Sequence, residues 1–514
     1  MAFAVTNFFR ILRAGFILAR HGALLPPEQT AQLPWLARRG LSLAQIGSDT
    51  REAGQSTRIT AALTELGPSY IKLGQFLATR PDVIGAKRAF ELKVLQDKLP
   101  PFPMAVAKAI ILKELGKPVE TLFQSFSDPI AAASVAQVHR AVTHDGRTVA
   151  VKILRPDVDR RFAADIDSFA FAARMMERVS DEGRRLRPVA AVAMLEQSMK
   201  LELDLRMEAS ALAEMAENAR DDPGIRLPKV DWVTTSKRLL TTEWVDGTPM
   251  ANVEALRERG LDLIALGDTV IQSFLRHAIR DGFFHADMHQ GNLMVGPDGK
   301  LVMLDFGIMG RLGMKERLFL AEILYGFITR DYMRVAQVHF DAGYVPQMQD
   351  VNNFAQALRS IGEPILGLPA DQISMARLLT QLFEVTEQFE MQTQPQLLLL
   401  QKTMVVVEGV ARTLNPNLNM WKTAEPFVRG WIERTLGPLG KLEEAGESVK
   451  ALARMALQLP TLLDEGHRAM QTLAAQHDAA EEMRSPRLGD MQPWQLAALV
   501  FSSIVLALMV GQLL

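Results

Sequence analysis

Cysteine is absent from all 514 residues. That excludes disulfides, thiolate metal sites and a cysteine nucleophile, and it fits a reducing compartment. Excess charge of either sign is also missing: the formal net charge is −2 and no basic stripe dominates, so no nucleic acid is expected as the main partner. A clean secretion signal is lacking too. Arg10, Arg13 and Arg20 interrupt the apolar start "MAFAVTNFFRILRAGFILAR", which reads instead as a helix lying on a protein or membrane surface, packing on its own domain being the simpler version. The chain is 48 % apolar and 23 % charged, enough for a large core and long enough for two or three compact units.

The one long run without charge comes at the end. "LAALVFSSIVLALMVGQLL", residues 496–514, is just long enough as a helix to cross about 30 Å of hydrocarbon, and Trp494 stands where an interfacial anchor belongs. A membrane anchor is expected there, with a buried terminal helix as the alternative.

Between these ends the texture changes several times. Residues 57–98 have helical spacing, "LPPFP" at 99–103 breaks the chain, and 104–125 is again helical. Residues 130–154 read as strands around an Asp145-Gly146 hairpin turn. A helix over 189–220 and two strands, "RLPKVDWV" and "RLLTTEWV", complete a small β-rich lobe. Beyond "VDGTPM" the chain turns mostly helical, apart from "NLMVG" and "KLVMLDF" joined by a turn. The fold class expected is α+β, divided as a helical extension (1–125), a β-rich lobe with a long helix (126–246), an α-rich lobe (247–437), an amphipathic segment and linker (438–490) and the anchor (491–514).

The chemistry is concentrated in "FFHADMHQGNLMV", residues 283–295. Asp287 and Asn292 stand there, Asp305 follows in "LVMLDFG", and Lys152 lies upstream in the strand "VAVK". Each piece alone is a weak signal. Together, in this order and local structure, they match what a protein-kinase-like, two-lobed fold needs. Asp305 and Asn292 offer Mg²⁺ a carboxylate and a neutral carbonyl oxygen, and Lys152 offers a cation to a nucleotide's phosphates. Asp287 is placed to orient or deprotonate an attacking hydroxyl or water. Of the acidic residues in "LELDLRMEA", Glu208 is favoured as the lysine's partner, with Asp204 on the same face of a regular helix and Glu202 pointing away. His285 and His289 have zinc-like spacing, but Gly291 and the strand after it argue against the helix such a site needs. His285 is expected to hold the loop backbone, and His289 either to line the site or to fill space.

Three features depart from an ordinary protein kinase. The phosphate-covering loop is "AAASVAQV", with Ala131, Ala132, Ala133, Ser134 and Val135 where glycines would let the backbone approach phosphate. His289 stands where many Ser/Thr kinases have lysine. The segment after Asp305 runs almost directly into helix, leaving no room for a peptide-docking activation segment.

"YIKLGQFLATRPDVI" at 70–84, the alanine loop, Glu202-Leu203-Asp204 and "HADMHQGN" with "DFG" together resemble the UbiB family of atypical kinase-like proteins, over roughly residues 55 to 310. The resemblance implies that Lys72, Gly74 and Gln75 lie on helices folded over the kinase core, facing Glu202 and Asp204 across the place a protein substrate would occupy. It also implies ATP and Mg²⁺ as cofactors, with Ala131 to Val135, Lys152, Glu243 and Val245 around the nucleotide, and ATPase activity in support of ubiquinone biosynthesis rather than protein phosphorylation. The partners to expect are anionic membrane lipid, polyprenyl-phenol quinone precursors and the pathway's enzymes. The location to expect is the inner (plasma) membrane of a bacterium, with the catalytic part in the cytoplasm. Relatives commonly end in two membrane helices where this chain offers one, so spanning alone and pairing as a homodimer both stay open. A small-molecule or lipid kinase and a nucleotide-gated scaffold are the alternative functions.

Overall fold

The computed structural model describes residues 2–23, 55–78, 92, 99–179, 187–367, 381, 384–385, 388–391 and 395–436. The chain divides into Met1–Arg429 and Gly430–Leu514. Of the second unit only the end of one helix is described, so the amphipathic segment and the apolar run expected over 438–514 lie outside the described residues. Among the described residues no helix is long and apolar enough to cross a membrane.

Three helices, α1 (Ala2–Arg20), α2 (Gln55–Leu66) and α3 (Pro68–Ala78), form the N-terminal extension. They lead through the proline-rich linker to α4 (Met104–Leu115) and the one-turn α5 (Val119–Leu122). The small lobe is an antiparallel sheet of β1 (Phe123–Ala132), β2 (Ala136–Thr143), β3 (Thr148–Leu154) and β5 (Leu239–Glu243), in that spatial order. The helix expected to run to 125 therefore stops at Leu115, where Gly116 adopts a left-handed cap, and the strand begins at Phe123. Gly146, at φ +84°, closes the expected β2–β3 hairpin.

Strand alternation explains how this sheet serves two purposes. Val149, Val151 and Ile153 point to one face, where they pack with Phe102, Ala107 and Ile111 from the linker and α4. Lys152 and Leu154 point to the other, toward α6 (Val158–Val179), α7 (Pro188–Glu202) and α8 (Leu205–Asn218). Tyr70, Leu73 and Phe76 of α3 pack against that same cluster, with Tyr70 edge-on to Phe169 at 5.0 Å.

The helix expected over 189–220 is two helices. Asp204 leaves helical geometry (φ −125°, ψ 94°) and caps α8, its carboxylate accepting the Arg206 N–H, while the Leu205 N–H bonds the Lys237 carbonyl. The strand expected from "RLPKVDWV" also shrinks, to β4 (Ile225–Arg226) followed by a bridge at Val230 and a 3₁₀ turn over Trp232–Thr234. Asp231 caps that turn, which leaves a continuous ladder no room.

In the large lobe β4 pairs with β9 (Leu301–Met303), β9 with β8 (Leu293–Val295) and β8 with β6 (Thr248–Pro249). A separate pair, β7 (Phe283–His285) with β10 (Met309–Arg311), brackets the catalytic segment. The helical part includes α9 (Val253–Glu258), α10 (Leu263–Leu275), α11 (Met314–Thr329), α12 (Tyr332–Asp341), α13 (Val351–Gly367), α14 (Pro395–Leu414) and α15 (Met420–Leu436). A π-helical turn, Arg276–Asp281, joins α10 to β7.

α1 packs on its own domain. Arg10 donates to the Ala164 carbonyl at 2.7 Å, the Ser168 hydroxyl to Asn7 at 3.1 Å, and Arg20 and His21 meet Glu65 at 2.6 and 2.7 Å. Its opposite face leaves Phe9, Leu12 and Phe16 exposed.

Candidate active site

The register of β3 aims Lys152 at α8, and the capped start of α8 puts Glu208 one turn inside the helix, facing the sheet. The Lys152 Nζ lies 2.8 and 2.9 Å from the two Glu208 oxygens. Both groups are mostly buried, so this is a shielded ion pair and not a surface one. The Lys152 Nζ also lies 3.3 Å from Asp305 Oδ1. The lysine, the helix glutamate and the aspartate of "DFG" thus meet at one point, although 56 residues separate Lys152 from Glu208.

Their titration reflects this crowding. Burial pushes the Lys152 ammonium down, but the Asp305 and Glu208 carboxylates outweigh it and hold its pKa above the ordinary lysine value. Burial pushes the Glu208 carboxyl up, against the pull of Lys152. The Lys152 charge draws Asp305 down to about 2 against the opposing effect of burial, with Lys72 adding to the pull. The Asp305 side chain is 51 % exposed.

Asp305 sits at φ +56°, in the left-handed region that few residues other than Gly, Asn and Asp enter. Neighbours on both sides hold it there: the Leu304 N–H bonds the Asn292 carbonyl at 2.8 Å and the Gly307 N–H bonds Asp305 Oδ1 at 3.2 Å. Non-glycine strain of this kind persists where surrounding structure over-determines it, which is common at active sites.

The catalytic segment between β7 and β8 is held from inside by a histidine. The buried His285 ring donates from Nε2 to the Leu304 carbonyl at 3.0 Å and accepts the Asp287 N–H at Nδ1, at 3.1 Å. With both ring nitrogens bonded to backbone, His285 has no lone pair left for a metal, and burial lowers its pKa. His289 caps the 3₁₀ turn Gln290–Asn292 by accepting the Gly291 N–H, and its Nε2 lies 3.6 Å from Asp287 Oδ2. Asn292 Nδ2 donates to the Asp287 carbonyl at 3.0 Å, which fixes its carboxamide. Among the described residues no group of three His, Cys, Asp or Glu side chains is arranged to hold a metal ion. The donors that fit a cation are instead the Asn292 carbonyl oxygen and Asp305, whose two protein contacts both fall on Oδ1. Two hard oxygen donors, with the remaining positions left to water and phosphate, suit Mg²⁺.

The extension reaches the same place. Lys72 of α3 pairs with Glu202 Oε2 at 2.7 Å, both mostly buried. The expectation from a regular helix is corrected here: with the chain bent at Leu203, Glu202 faces the extension, whereas Asp204 is held by Arg206 at 2.9 and 2.6 Å. Gly74 is buried and Gln75 half-buried on the same helix as Lys72. The alanine loop is a tight turn in which the Ala133 N–H bonds the Ala136 carbonyl at 2.8 Å; Ala131 and Ala132 still pair with β2, and Ser134 and Val135 are buried. Glu243, expected beside the nucleotide, stands at the end of β5. Its carboxylate meets Arg226 and its N–H bonds the Lys229 carbonyl, so it serves the sheet edge, with the buried Val245 two residues on.

Two contacts have no counterpart in the sequence reading. The buried Thr403 hydroxyl on α14 shares its one proton between the Leu399 carbonyl one turn back, at 2.7 Å, and the carbonyl of Ala286, next to Asp287, at 3.0 Å, and Gln290 Nε2 donates to Thr413 at 2.9 Å. A threonine in an apolar helix carries no sequence signal for such a role.

A lysine–glutamate pair, an oriented asparagine and a strained aspartate around one cleft define a kinase-like phosphotransfer domain. Comparison with known proteins agrees. The ABC1 atypical kinase-like domain matches residues 94–339 and the UbiB helical domain matches residues 358–419. The latter falls inside the α-rich lobe expected over 247–437. A probable protein kinase UbiB from Marinobacter nauticus is 40 % identical over 433 residues, covering 83 % of this chain and 77 % of that protein. Another from Pseudomonas paraeruginosa is 39 % identical over 447 residues, covering 85 % and 82 %. The chain belongs to the UbiB family of atypical kinase-like proteins, which implies a role in ubiquinone biosynthesis. A solved structure of Rv3197 with erythromycin from Mycobacterium tuberculosis covers 74 % of this chain and 97 % of its own, at 24 % identity and a TM-score of 0.49, a likeness too loose to bear on function.

Proposed function

We propose that this chain hydrolyses Mg-ATP in the cleft around Lys152, Glu208 and Asp305, and that it works beside a membrane in ubiquinone biosynthesis. The observation that carries the reading is the double engagement of Lys152, 2.8 Å from Glu208 and 3.3 Å from Asp305. This arrangement fixes a cation where a nucleotide's inner phosphates would lie. Asn292 and Asp305 would hold Mg²⁺, which when bound offsets negative charge on the phosphates. Asp287 then accepts the proton of the attacking water, its backbone held by His285 and its side chain beside His289.

The Lys72–Glu202 pair favours a small attacking group over a peptide hydroxyl, because it places the extension next to the site. Water, or the phenolic head of a polyprenyl quinone precursor, meets that limit. The apolar run at 496–514 supports tethering to the inner membrane of a bacterium with the site on the cytoplasmic side, where anionic lipid and pathway enzymes would be the partners. The test is phosphate release by the full chain with Mg-ATP, with and without anionic vesicles and a prenyl-phenol analogue. Free phosphate, stimulated by the additions, is expected. Phosphorylated phenol as the product would replace the ATPase reading with a small-molecule kinase. Nucleotide bound without turnover would replace it with a scaffold.

A further inference from the structure

Arg155, the residue after β3, lies outside the phosphate site yet holds the loop that covers it. Its backbone N–H donates to the Val135 carbonyl at 2.8 Å. Its guanidinium divides between two segments: Nε donates to the Ala133 carbonyl at 2.9 Å, and Nη2 donates to the Pro100 carbonyl, also at 2.9 Å. The same guanidinium lies over the Phe102 ring, 5.9 Å from its centre. Ala133 is the tip of the alanine loop, and Pro100 and Phe102 belong to the linker that leaves the N-terminal extension.

The linker is fastened independently a few ångströms on. The Phe102 N–H donates to Gln137 Oε1 at 2.8 Å, and Gln137 Nε2 returns a bond to the Phe102 carbonyl at 3.3 Å. Gln137 is itself buried on β2 and shares a bond with His139. At the loop, the Ala133 N–H is already engaged with the Ala136 carbonyl. Both backbone groups at the tip are therefore committed, the carbonyl to Arg155. A lysine could not replace the fork, since a single ammonium lacks two separated donors in one rigid plane.

We infer that Arg155 is a positioning residue that sets the pose of the alanine loop over the nucleotide and couples that pose to the linker of the N-terminal extension. The inference rests on reading the cleft as a nucleotide site, but the coupling itself can be measured without nucleotide. Hydrogen exchange of the full chain would compare wild type with Arg155→Gln and Arg155→Lys in two peptides, one over the linker, reported by the Phe102 amide, and one over residues 131–136. Both variants should speed exchange in the loop peptide by about tenfold, the worth of one charge-assisted hydrogen bond, and the Phe102 amide by a smaller, measurable factor, since its bond to Gln137 remains. Arg155→Lys keeps the charge and the stem, so it serves where Arg155→Gln folds poorly. Acceleration in one peptide alone, or in neither, overturns the coupling. Titration with a fluorescent ATP analogue adds the second readout: Arg155→Lys should weaken binding about tenfold with little change in melting temperature. A lowered melting temperature with unchanged affinity would mean that Arg155 only stabilises the lobe. Absence of binding by the wild type would overturn the nucleotide reading, while the exchange result would still decide the coupling.

Discussion

Replacing Glu208 by glutamine keeps the shape of the side chain and removes its charge, so it isolates what the buried pair does. At 2.8 Å and an effective dielectric of about 20, two unit charges attract by about 6 kcal/mol. Taking a carboxylate out of water costs several kcal/mol, which offsets most of that. Because Asp305 remains 3.3 Å from Lys152, the ammonium is not left alone, and the net loss of stability should be about 1–3 kcal/mol. For a chain of this size that lowers the melting temperature by a few degrees. The catalytic effect should be far larger. Without Glu208, Lys152 leans on Asp305, moves away from the phosphates and competes for the carboxylate a cation would use. A misplacement of about 1 Å at such a group costs on the order of a hundredfold. Steady-state phosphate release by Glu208→Gln should therefore fall ten- to a hundredfold, alongside a melting curve only slightly shifted. Turnover within about twofold of wild type would refute the claim that Glu208 positions the lysine.

Thr403→Val should lower turnover several-fold through the Ala286 carbonyl while leaving nucleotide affinity in place, and Thr403→Ser should restore it; equal rates for all three, by phosphate release, would confine Thr403 to packing. Lys72→Ala removes one of the cations that hold Asp305 down near 2. The folded pKa of Asp305 then rises toward the ordinary carboxylate range, so what its ionised form supplies is lost at a higher pH as the solution is acidified. The acid limb of the pH–rate profile should move upward; an unmoved limb with unchanged affinity and turnover would remove any link between the extension and the site. Burial lowers the pKa of His139, His285 and His339, so each favours the folded state only while neutral. That stability is complete above the unfolded value of about 6.5 and is lost as pH falls below it toward the depressed folded values. The urea midpoint should drop between pH 7.5 and 5.5, and a flat profile would contradict the assignment of neutral rings.

Much of the catalytic centre was legible because each residue carries its own local signal. A lysine in a β-branched strand, an aspartate five residues before an asparagine, and "DFG" after a short strand each declare a context, and their order along the chain supplies the rest. Glu208 could be chosen as the lysine's partner although the helix around it was misjudged. The break at Leu203 was not legible: it depends on Asp204 accepting the Arg206 N–H and on the Leu205 N–H finding the Lys237 carbonyl, a bond across more than thirty residues of chain. The same break turns Glu202 to Lys72, a meeting that the family resemblance implied and helix geometry alone did not. The bond from Glu243 to Arg226 was not legible either, since it joins two strands of different sheets. Arg155 and Thr403 act through backbone carbonyls, and a carbonyl partner leaves no trace in residue type or spacing.

The proposition that most needs testing is that Asp305 and Asn292 join Lys152 in holding a metal–nucleotide pair. Titration of the full chain with ATP, with and without Mg²⁺, compares wild type with Asp305→Asn most directly. The wild type should bind ATP at least tenfold more tightly with Mg²⁺ present, and Asp305→Asn should lose that gain along with turnover. Mg²⁺-dependent binding and turnover that survive in Asp305→Asn would contradict the account.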